Sequence, residues 1–319
     1  MEYTPQLATL VKEPPLGDQW VHEIKFDGYR IGCRIHGGRV SLISRNGKDW
    51  THAFAEIVTA AGKLGLRDAL LDGEVAMVLP DGRTSFQALQ GAFAGEGPRA
   101  SLTYFVFDLL RLEGERLESL TLEERKARLK KVLGRGKAGR IRYTEHVEGR
   151  GDEFFEQACR VGLEGIISKR RDMPYRPGRH GDWLKTKCTL RQEFVIGGFT
   201  DPEGARAGIG ALVIGYYDGD RLVFAGKVGT GFTHKMALDM RRRLDAIEQK
   251  TCPFDPLPQG LGRAVHWVKP TLVCEVEFTE WTIDGKIRHP SFQGLRADKN
   301  PRQVSREKPA AQVAREIRN

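Results

Sequence analysis

Residues Glu23 to Arg30 read E-I-K-F-D-G-Y-R, and the rest of the chain is arranged around this stretch. It places Lys25 beside a carboxylate, a glycine and an arginine. A lysine amine is nucleophilic only without its proton, so Lys25 needs burial or neighbouring cations that lower its pKa, and Arg30 is a candidate for that role. The same residues also fit a charged strand that leads into a solvated turn. The stretch therefore indicates a nucleophile only if other motifs accompany it.

The composition is that of an ordinary globular protein of more than one domain. The chain has 319 residues, of which 40% are hydrophobic and 29% charged, and two domains are expected at this length. It contains no apolar run of membrane-spanning length and no signal peptide, which favours a cytoplasmic location. The net charge of +9 suggests a polyanionic partner such as a nucleic acid, although many basic enzymes share it.

The cysteines give no metal or disulfide pattern. There are five, an odd number, far apart in the sequence and without a C-x-x-C pair: Cys33, Cys159, Cys188, Cys252 and Cys274. We therefore predict neither structural zinc nor a disulfide framework. The eight histidines show no paired spacing either, so we expect surface or core histidines rather than ligands.

The residues before Thr189 predict a mixture of strands and helices. Alternating apolar residues indicate strands at 20–45, broken by a turn at His36–Arg39, and again at 70–78, 103–109 and 165–168. Helical spacing indicates helices at 51–65 and 152–161. The sequence T-L-E-E from Thr121 to Glu124 fits a capping box, which predicts a helix from Leu122 to Leu133.

From Thr189 onward the pattern changes to short strands. They are expected at 194–199, 211–217, 222–228 and 272–278, with a single helix at about 233–247. A small, mostly β barrel with one helix is the simplest closure of these elements, and the oligonucleotide-binding (OB) fold is the obvious candidate. The predicted domains are therefore residues 1–188 and 189–319.

Six further motifs follow Lys25 in a fixed order. They are S-R-N-G at Ser44–Gly47, D-G-E at Asp72–Glu74, F-V-F-D at Phe105–Asp108, E-G-I-I-S-K at Glu164–Lys169, W-L-K-T-K at Trp183–Lys187 and R-x-D-K at Arg296–Lys299. With these motifs the whole chain resembles the covalent nucleotidyltransferases, which comprise ATP-dependent DNA ligases, RNA ligases and capping enzymes. Residues 264–301 and the opening P-Q-L-A-T-L look most like the ligase domain of bacterial DNA ligase D.

The resemblance implies a fold and a domain context. The fold is α+β, with a nucleotidyltransferase (adenylation) domain built on antiparallel sheets with helices, followed by a C-terminal OB-fold β-barrel domain. Full-length members of the family often carry polymerase and phosphoesterase domains, for which 319 residues leave no room. The chain is therefore expected to be a stand-alone ligase or an isolated ligase module.

The resemblance also implies roles for individual residues. Lys25 is the expected nucleophile, which takes AMP from ATP as a lysyl phosphoramidate. Glu74 and Glu164 match the positions that the family uses around the metal and the sugar, and their hard oxygen donors suit Mg²⁺ or Mn²⁺. Either glutamate taken alone would be read as a solvated surface acid.

Nucleotide contacts are implied at further positions. Arginines that resemble the family's phosphate and ribose contacts are Arg30, Arg45 and Arg179, although Arg176 lies near enough to exchange roles with the last of these. Glu23 and Ile24 precede the lysine where the family binds the nucleoside. Phe107 matches the aromatic residue that stacks on adenine, and a core phenylalanine is the alternative because the surrounding run is apolar.

Two lysines and a C-terminal motif complete the expected site. Lys185 and Lys187 alternate on one predicted strand, so both side chains face the same way and can neutralise the α-phosphate during the displacement. A basic strand edge is their alternative interpretation. Arg296, with Asp298 and Lys299, resembles the family motif that swings from the barrel onto the pyrophosphate, which implies domain motion around Thr189.

The expected function is ATP-dependent sealing of 5′-phosphate/3′-hydroxyl breaks in duplex DNA, as in bacterial non-homologous end joining. The resemblance implies nicked or broken DNA as substrate, a Ku-like end-binding partner, a monomeric state and a cytoplasmic, nucleoid-associated location. Alternatives are an RNA ligase or capping-type enzyme, or a catalytically silent DNA-binding module. An NAD-dependent ligase is disfavoured because the cysteine zinc module of that family is missing.

Overall fold

The computed structural model describes residues 3–93, 99–134, 139–202, 207–261 and 265–307. The chain forms two compact units, one that ends at Cys188 and one that runs from Thr189 to Glu307. In the part of the chain described, no helix is both long enough and apolar enough to cross a membrane.

The described part of the first unit contains eleven strands and four α-helices. The strands are β1 (Gln6–Leu10), β2 (Trp20–Ile24), β3 (Gly28–His36), β4 (Arg39–Ser44), β5 (Asp68–Met77), β6 (Leu102–Leu112), β7 (Glu115–Arg116), β8 (Ile141–Tyr143), β9 (Val147–Glu148), β10 (Gly165–Arg170) and β11 (Gly178–Lys187). The helices are α1 (Ala55–Gly62), α2 (Phe86–Phe93), α3 (Leu122–Leu133) and α4 (Gly151–Arg160).

These strands form two sheets. The first has the order β1-β11-β10-β2-β9, and the second has the order β4-β3-β5-β6-β7 with β8 beside β6. All pairs are antiparallel except β1 with β11 and β6 with β8. Apolar side chains of the second sheet and of α1, α2 and α3 form the main core, in which Ile31, Ile57, Leu89 and Leu129 are fully buried. Burial of these apolar faces is what holds the helices on the sheet.

Helix α3 begins where the sequence predicts it to begin. Thr121 is the N-cap, its hydroxyl accepts from the backbone N–H of Glu124, and the Glu124 carboxylate accepts from the backbone N–H of Thr121. This reciprocal pair satisfies two backbone donors that the first turn of a helix leaves open. On its inner face, Arg125 forms a fully buried ion pair with Asp108 of β6.

The second unit is mostly β. Its elements are β12 (Leu190–Thr200), β13 (Ala211–Asp218), β14 (Arg221–Val228), α5 (His234–Asp245), β15 (Glu248–Gln249), β16 (Val265–Phe278), β17 (Glu280–Trp281), β18 (Ile287–Arg288) and β19 (Ser291–Leu295). The main sheet has the order β14-β13-β12-β16-β15, and β19 also pairs with β16. Helix α5 packs Met240 and Leu244 into the core of this sheet.

Some elements differ from their predicted bounds. Helix α1 is shorter than predicted at both ends, and β16 begins at Val265 rather than near Leu272 because its first residues pair with Gly198–Thr200. Strand β1 and helix α2 were not predicted.

The prediction of no disulfide is wrong for one cysteine pair. Cys159 and Cys188 are bonded, with their Cα atoms 5.2 Å apart. They are 29 residues apart in the sequence, and they meet because Cys159 lies on α4 while Cys188 directly follows β11. Strand β11 pairs with β10, the strand that follows α4, and this pairing brings Cys188 back beside α4. The spacing of the cysteines in the sequence does not reveal such a long-range contact. The other three cysteines are free thiols.

Candidate active site

Lys25 lies directly after β2, against the start of β10. Its backbone N–H donates to the carbonyl of Gly165 (3.0 Å), and its ammonium group forms an ion pair with Glu164. The Lys25 side chain is 21% exposed and that of Glu164 is 6% exposed. Two predicted site residues that are 139 positions apart in the sequence are therefore in direct contact.

Sheet register brings the two predicted lysines of β11 to the face that carries Glu23. Glu23 of β2 is opposite Ile167 of β10, which is opposite Lys185 of β11. Two residues before Ile167 on β10, Gly165 is opposite Lys187. Directly opposed residues in an antiparallel sheet point to the same face, so Glu23, Lys185 and Lys187 share that face. Ile24 pairs with Ile166 and points to the opposite side.

Glycine is required at position 165. Its φ is +151°, and a Cβ atom there would lie 2.1 Å from the carbonyl oxygen of Thr186. Any side chain would push β10 away from β11 and disturb the row that holds Lys187. The E-G pair of this motif therefore combines a carboxylate for Lys25 with the close strand approach that sets the position of the second lysine.

Glu23 is held by two buried lysines to which the sequence motifs assign no role, although Lys169 ends the motif E-G-I-I-S-K. Lys126 of α3 donates to one carboxylate oxygen of Glu23 and to the carbonyl of Thr144 (3.0 Å), and Lys169 of β10 lies 2.6 Å from the other oxygen. Burial alone would raise the pKa of Glu23, but the two ammonium groups outweigh it and lower that pKa. Burial lowers the pKa of Lys169 to about 8, against the opposing attraction of Glu23.

The second sheet contributes another row of predicted residues. Arg30 of β3 is opposite Glu74 of β5, and Glu74 is opposite Phe105 of β6. Arg30 also forms a bidentate ion pair with buried Asp72 (3.0 and 2.6 Å), which offsets its positive charge. Arg45 starts the turn that follows β4, and Ser44 before it pairs with Ile31 beside Arg30.

Phe107 lies at a bulge in β6. Asp72 is opposite Asp108 while the next residue, Gly73, is opposite Val106, so Phe107 is the extra residue on its strand. Its ring packs edge-on against Trp183, with centroids 5.9 Å apart. The Lys169 ammonium lies 4.2 Å from the Phe107 ring centroid and the Arg30 guanidinium 5.0 Å from it. The predicted adenine platform is thus an aromatic ring with two cations close to it.

A second aromatic pair lies beside Lys25 and was not predicted. Phe26 stacks on Phe105, with ring centroids 3.9 Å apart and an interplanar angle of 12°. Since Phe26 directly follows Lys25, its ring is tied to the position of that lysine. The pattern F-D-G after the lysine was the available signal, but aromatic residues there also fit a core role.

Arg179 and Arg176 have different partners. The guanidinium of Arg179, at the start of β11, donates to the carbonyl of Ala8, whereas Arg176 forms an ion pair with Asp182. In this conformation Arg176 therefore has a largely buried carboxylate partner and Arg179 a backbone carbonyl, and the choice between the two arginines stays a prediction.

Arg296 lies in the second unit, inside an acidic cluster. It pairs with Asp298 through two bonds (2.9 and 2.8 Å), with Glu275 (3.3 Å) and with Glu193 (3.6 Å), and Lys299 also pairs with Glu193 (2.7 Å). Its side chain is 10% exposed. Burial alone would raise the pKa of Asp298, but Arg296 and Lys299 lower it. These contacts fix the R-x-D-K motif on its own unit.

Family models match the chain in both units. The model described as "ATP dependent DNA ligase domain" matches residues 4–187, and the model described as "ATP dependent DNA ligase C terminal region" matches residues 205–299. The chain belongs to the ATP-dependent DNA ligase family. The expected fold is confirmed by this membership: a mixed α/β nucleotidyltransferase domain with mainly antiparallel sheets, followed by an OB-fold-type domain.

Individual relatives agree with the family models. The ligase chain is 44% identical over 310 residues to the multifunctional non-homologous end joining protein LigD of Pseudomonas aeruginosa and 36% identical over 292 residues to LigD of Mycobacterium tuberculosis. It covers 37% and 38% of the length of these relatives.

Two solved structures are similar over almost their whole length. One is mycobacterial DNA ligase D complexed with ATP and MES (34% identity, TM-score 0.71), and the other is the ligase domain of M. tuberculosis LigD (35% identity, TM-score 0.53). In both comparisons the alignment covers 95% of this ligase and 98% of the other chain. The similarity to ligase D that the sequence motifs indicated is confirmed.

Proposed function

We propose that this ligase seals 5′-phosphate/3′-hydroxyl breaks in duplex DNA through a lysyl-AMP intermediate on Lys25, in bacterial double-strand break repair by non-homologous end joining. The contact of Lys25 with Glu164, beside the sheet face that carries Lys185 and Lys187, is the observation that supports this proposal most directly. In the first step the Lys25 amine attacks the α-phosphorus of ATP and pyrophosphate leaves. AMP then passes to the DNA 5′-phosphate, and the 3′-hydroxyl displaces it.

Each proposed role follows from side-chain chemistry. Lys185 and Lys187 provide two positive charges from one face of β11, where they stabilise negative charge that develops on the α-phosphate. The planar donors of Arg30, Arg45 and Arg179 suit phosphate and ribose oxygens. Glu23 and Phe107 take the base and Glu74 the sugar, while Ile24, whose side chain points to the other face of its sheet, would take part through its backbone. These are assignments by motif and by position, and substitution tests them.

The proposal includes a divalent cation at the same site. Among the described residues, no group of three or more His, Cys, Asp or Glu side chains is arranged as a metal site, and the carboxylates that we propose as protein ligands are those of Glu74 and Glu164. Mg²⁺ commonly binds through one or two carboxylates, substrate phosphates and water. When bound, Mg²⁺ or Mn²⁺ would neutralise phosphate charge. EDTA should then abolish AMP transfer, and either ion should restore it.

The two domains, 1–188 and 189–319, are proposed to separate the tasks of the ligase. The first would hold the nucleotide, while Arg296 on the second would reach the pyrophosphate only during the first step. This requires Arg296 to leave carboxylates that now hold it, which include Asp298 and Glu275. Arg296→Ala should therefore slow the reaction with ATP and leave the sealing of pre-adenylylated nicked DNA intact.

DNA is the proposed partner, with a Ku-like protein at double-strand ends. The net charge of +9 supports a polyanionic substrate, and the relatives named as end-joining proteins support the pathway. The protein would act as a monomer in the cytoplasm at the nucleoid, and polymerase and phosphoesterase modules would be its functional neighbours. Stimulation by a Ku-like protein should occur with linear ends and not with nicked circles.

Labelling with ATP or GTP, followed by sealing assays, tests the proposed function. Wild type should be labelled from ATP in the presence of a divalent metal and should seal nicked DNA, whereas Lys25→Ala should do neither. Lys131→Ala, on the exposed side of α3, is the matched control and should behave as wild type. Preferential labelling from GTP, or sealing of RNA alone, would instead indicate a capping or RNA-ligase activity.

A further inference from the structure

Asp72 carries a buried carboxylate whose oxygens are shared between an arginine and two tyrosines. One oxygen accepts from the Tyr3 hydroxyl (2.6 Å) and from Nε of Arg30 (3.0 Å). The other accepts from Nη2 of Arg30 (2.6 Å) and from the Tyr175 hydroxyl (2.8 Å). Asp72 has no exposed surface, so these four donors replace the water that an ionised carboxylate would otherwise need.

The same contacts fix the guanidinium of Arg30. Besides its two bonds to Asp72, it donates from Nη1 to the carbonyl of Gln6 (2.7 Å), and it lies over the rings of Phe107 (5.0 Å) and Trp183 (5.2 Å). A guanidinium has five N–H donors, so these three bonds, counted among the described residues, leave two N–H groups for the nucleotide. The side chain remains 18% exposed.

The N-terminal segment carries one of the two tyrosines to Asp72. The Tyr3 ring packs on Gly32 of β3 so closely that a Cβ atom there would lie 2.6 Å from it. This places the Tyr3 hydroxyl beside Asp72. The second tyrosine is held from the same segment, because the backbone N–H of Gln6 donates to the Tyr175 hydroxyl (2.9 Å). Burial and the neighbouring carboxylate raise the pKa of both tyrosines, so both stay protonated donors at neutral pH.

We propose that Tyr3 and Tyr175 are positioning residues that orient Arg30 for its phosphate or ribose contact, through the carboxylate of Asp72. This inference rests on the proposed function, in which Arg30 contacts the nucleotide. Each hydroxyl fixes one carboxylate oxygen, and the bidentate fork makes the guanidinium follow the carboxylate plane. The early segment that contains Tyr3 thereby becomes part of the active-site support, although it lies before every motif of the site.

The variants Tyr3→Phe and Tyr175→Phe test this inference because each removes only a hydroxyl. Loss of one hydrogen bond to a charged group should slow the step in which Arg30 acts by about tenfold. The affected step should be the same one that Arg30→Lys slows. This substitution keeps the positive charge but loses the planar fork of donors. Labelling from ATP reports the first step, and sealing of pre-adenylylated nicked DNA reports the last.

Tyr104→Phe is the matched control. Tyr104 is fully buried on β6, in the sheet that carries Arg30 and Asp72. Its hydroxyl donates to the backbone carbonyls of Ile31 (2.7 Å) and Leu71 (3.1 Å) and not to Asp72. It should lower the melting temperature without slowing either step at a temperature where all variants are folded. A loss of activity that merely followed the loss of stability would affect Tyr104→Phe equally, and that result would overturn the inference.

A double-mutant cycle separates positioning from general stabilisation. In an Arg30→Lys background, Tyr3→Phe and Tyr175→Phe should cause little further loss of rate, because the group that they orient is already changed. Full tenfold losses in that background, or wild-type rates for the single variants, would each refute the inference. If wild type itself is not labelled by ATP, the proposed function fails. That failure is distinguishable from a failure of the inference, which is read only from the variants beside a labelled wild type.

Discussion

Replacement of Arg125 by methionine should strongly destabilise the first unit. Arg125 and Asp108 are both completely buried, and the guanidinium donates to both carboxylate oxygens (2.7 and 2.9 Å) and to the carbonyl of Leu120 (2.6 Å). Methionine retains much of the apolar length but no donor. Of the hydrogen bonds to Asp108 from Arg125 and Leu109, only the one from the backbone N–H of Leu109 (2.9 Å) would remain. The buried charge of Asp108 would therefore lose its counter-ion.

The magnitude follows from that lost partner. Removing one member of a buried ion pair costs about 3–5 kcal/mol, a large part of the roughly 5–15 kcal/mol by which native proteins are stable. The substitution should also affect the site, since the same helix carries Lys126, which donates to Glu23. A looser α3 should therefore weaken labelling from ATP even at temperatures where the variant is folded.

Urea unfolding followed by far-ultraviolet circular dichroism measures the effect. The matched control is Arg128→Met on the same helix, where the arginine is 36% exposed and pairs with an exposed glutamate, Glu115, at 2.6 Å. Such surface pairs contribute about 0–1 kcal/mol. Adding Asp108→Asn to Arg125→Met should recover part of the loss, because no charge then remains buried. Equal stability of Arg125→Met and Arg128→Met would refute this reasoning.

Other perturbations should give smaller or conditional effects. Thr121→Ala removes the N-cap of α3 and should cost about 1 kcal/mol in urea unfolding, while retention of wild-type stability would contradict the capping role. Hydrogen bonds to two carboxylates raise the pKa of His266 from 6.5. The stability that protonated His266 adds to the fold should therefore be present below about pH 6.5 and be lost as pH rises through the raised pKa. Wild type should exceed His266→Gln in melting temperature at low pH only, and a difference that stays constant with pH would exclude this linkage. Reduction of the Cys159–Cys188 bond opens a loop with a sequence separation of 29 and should lower stability by up to about 3–4 kcal/mol, whereas Cys252→Ser should change nothing in the response to reductant.

Local patterns were sufficient for several elements of this ligase. The capping box at Thr121 and the alternation of Lys185 with Lys187 depend only on neighbours in the sequence, and the structure contains both the helix and the strand that they predict. Strand β1 was missed because its short stretch, Gln6–Leu10, shows no clear alternation, and its parallel partner β11 lies more than 160 residues later. Its place in the sheet is set by that partner and not by its own residues.

The site was predictable as a set of residues but not as a set of contacts. Motif order indicated Lys25 and Glu164, while their ion pair depends on the register of β2 against β10. Lys126 resembles an ordinary surface lysine in the sequence, and Lys169 only ends a motif without an assigned role. Their burial around Glu23 is what reveals a structural role. Long-range register carries this information, which explains why the disulfide was missed as well.

The mass of the intact protein after incubation with ATP and a divalent metal tests the central claim most directly. Wild type should gain the mass of one adenylyl group, which is AMP less one water, and peptide mapping should place it on Lys25. Lys131→Ala should gain the same mass, and Lys25→Ala should gain none. An unmodified wild type, or an AMP adduct that persists in Lys25→Ala, would contradict the assignment of Lys25 as the nucleophile of this ligase.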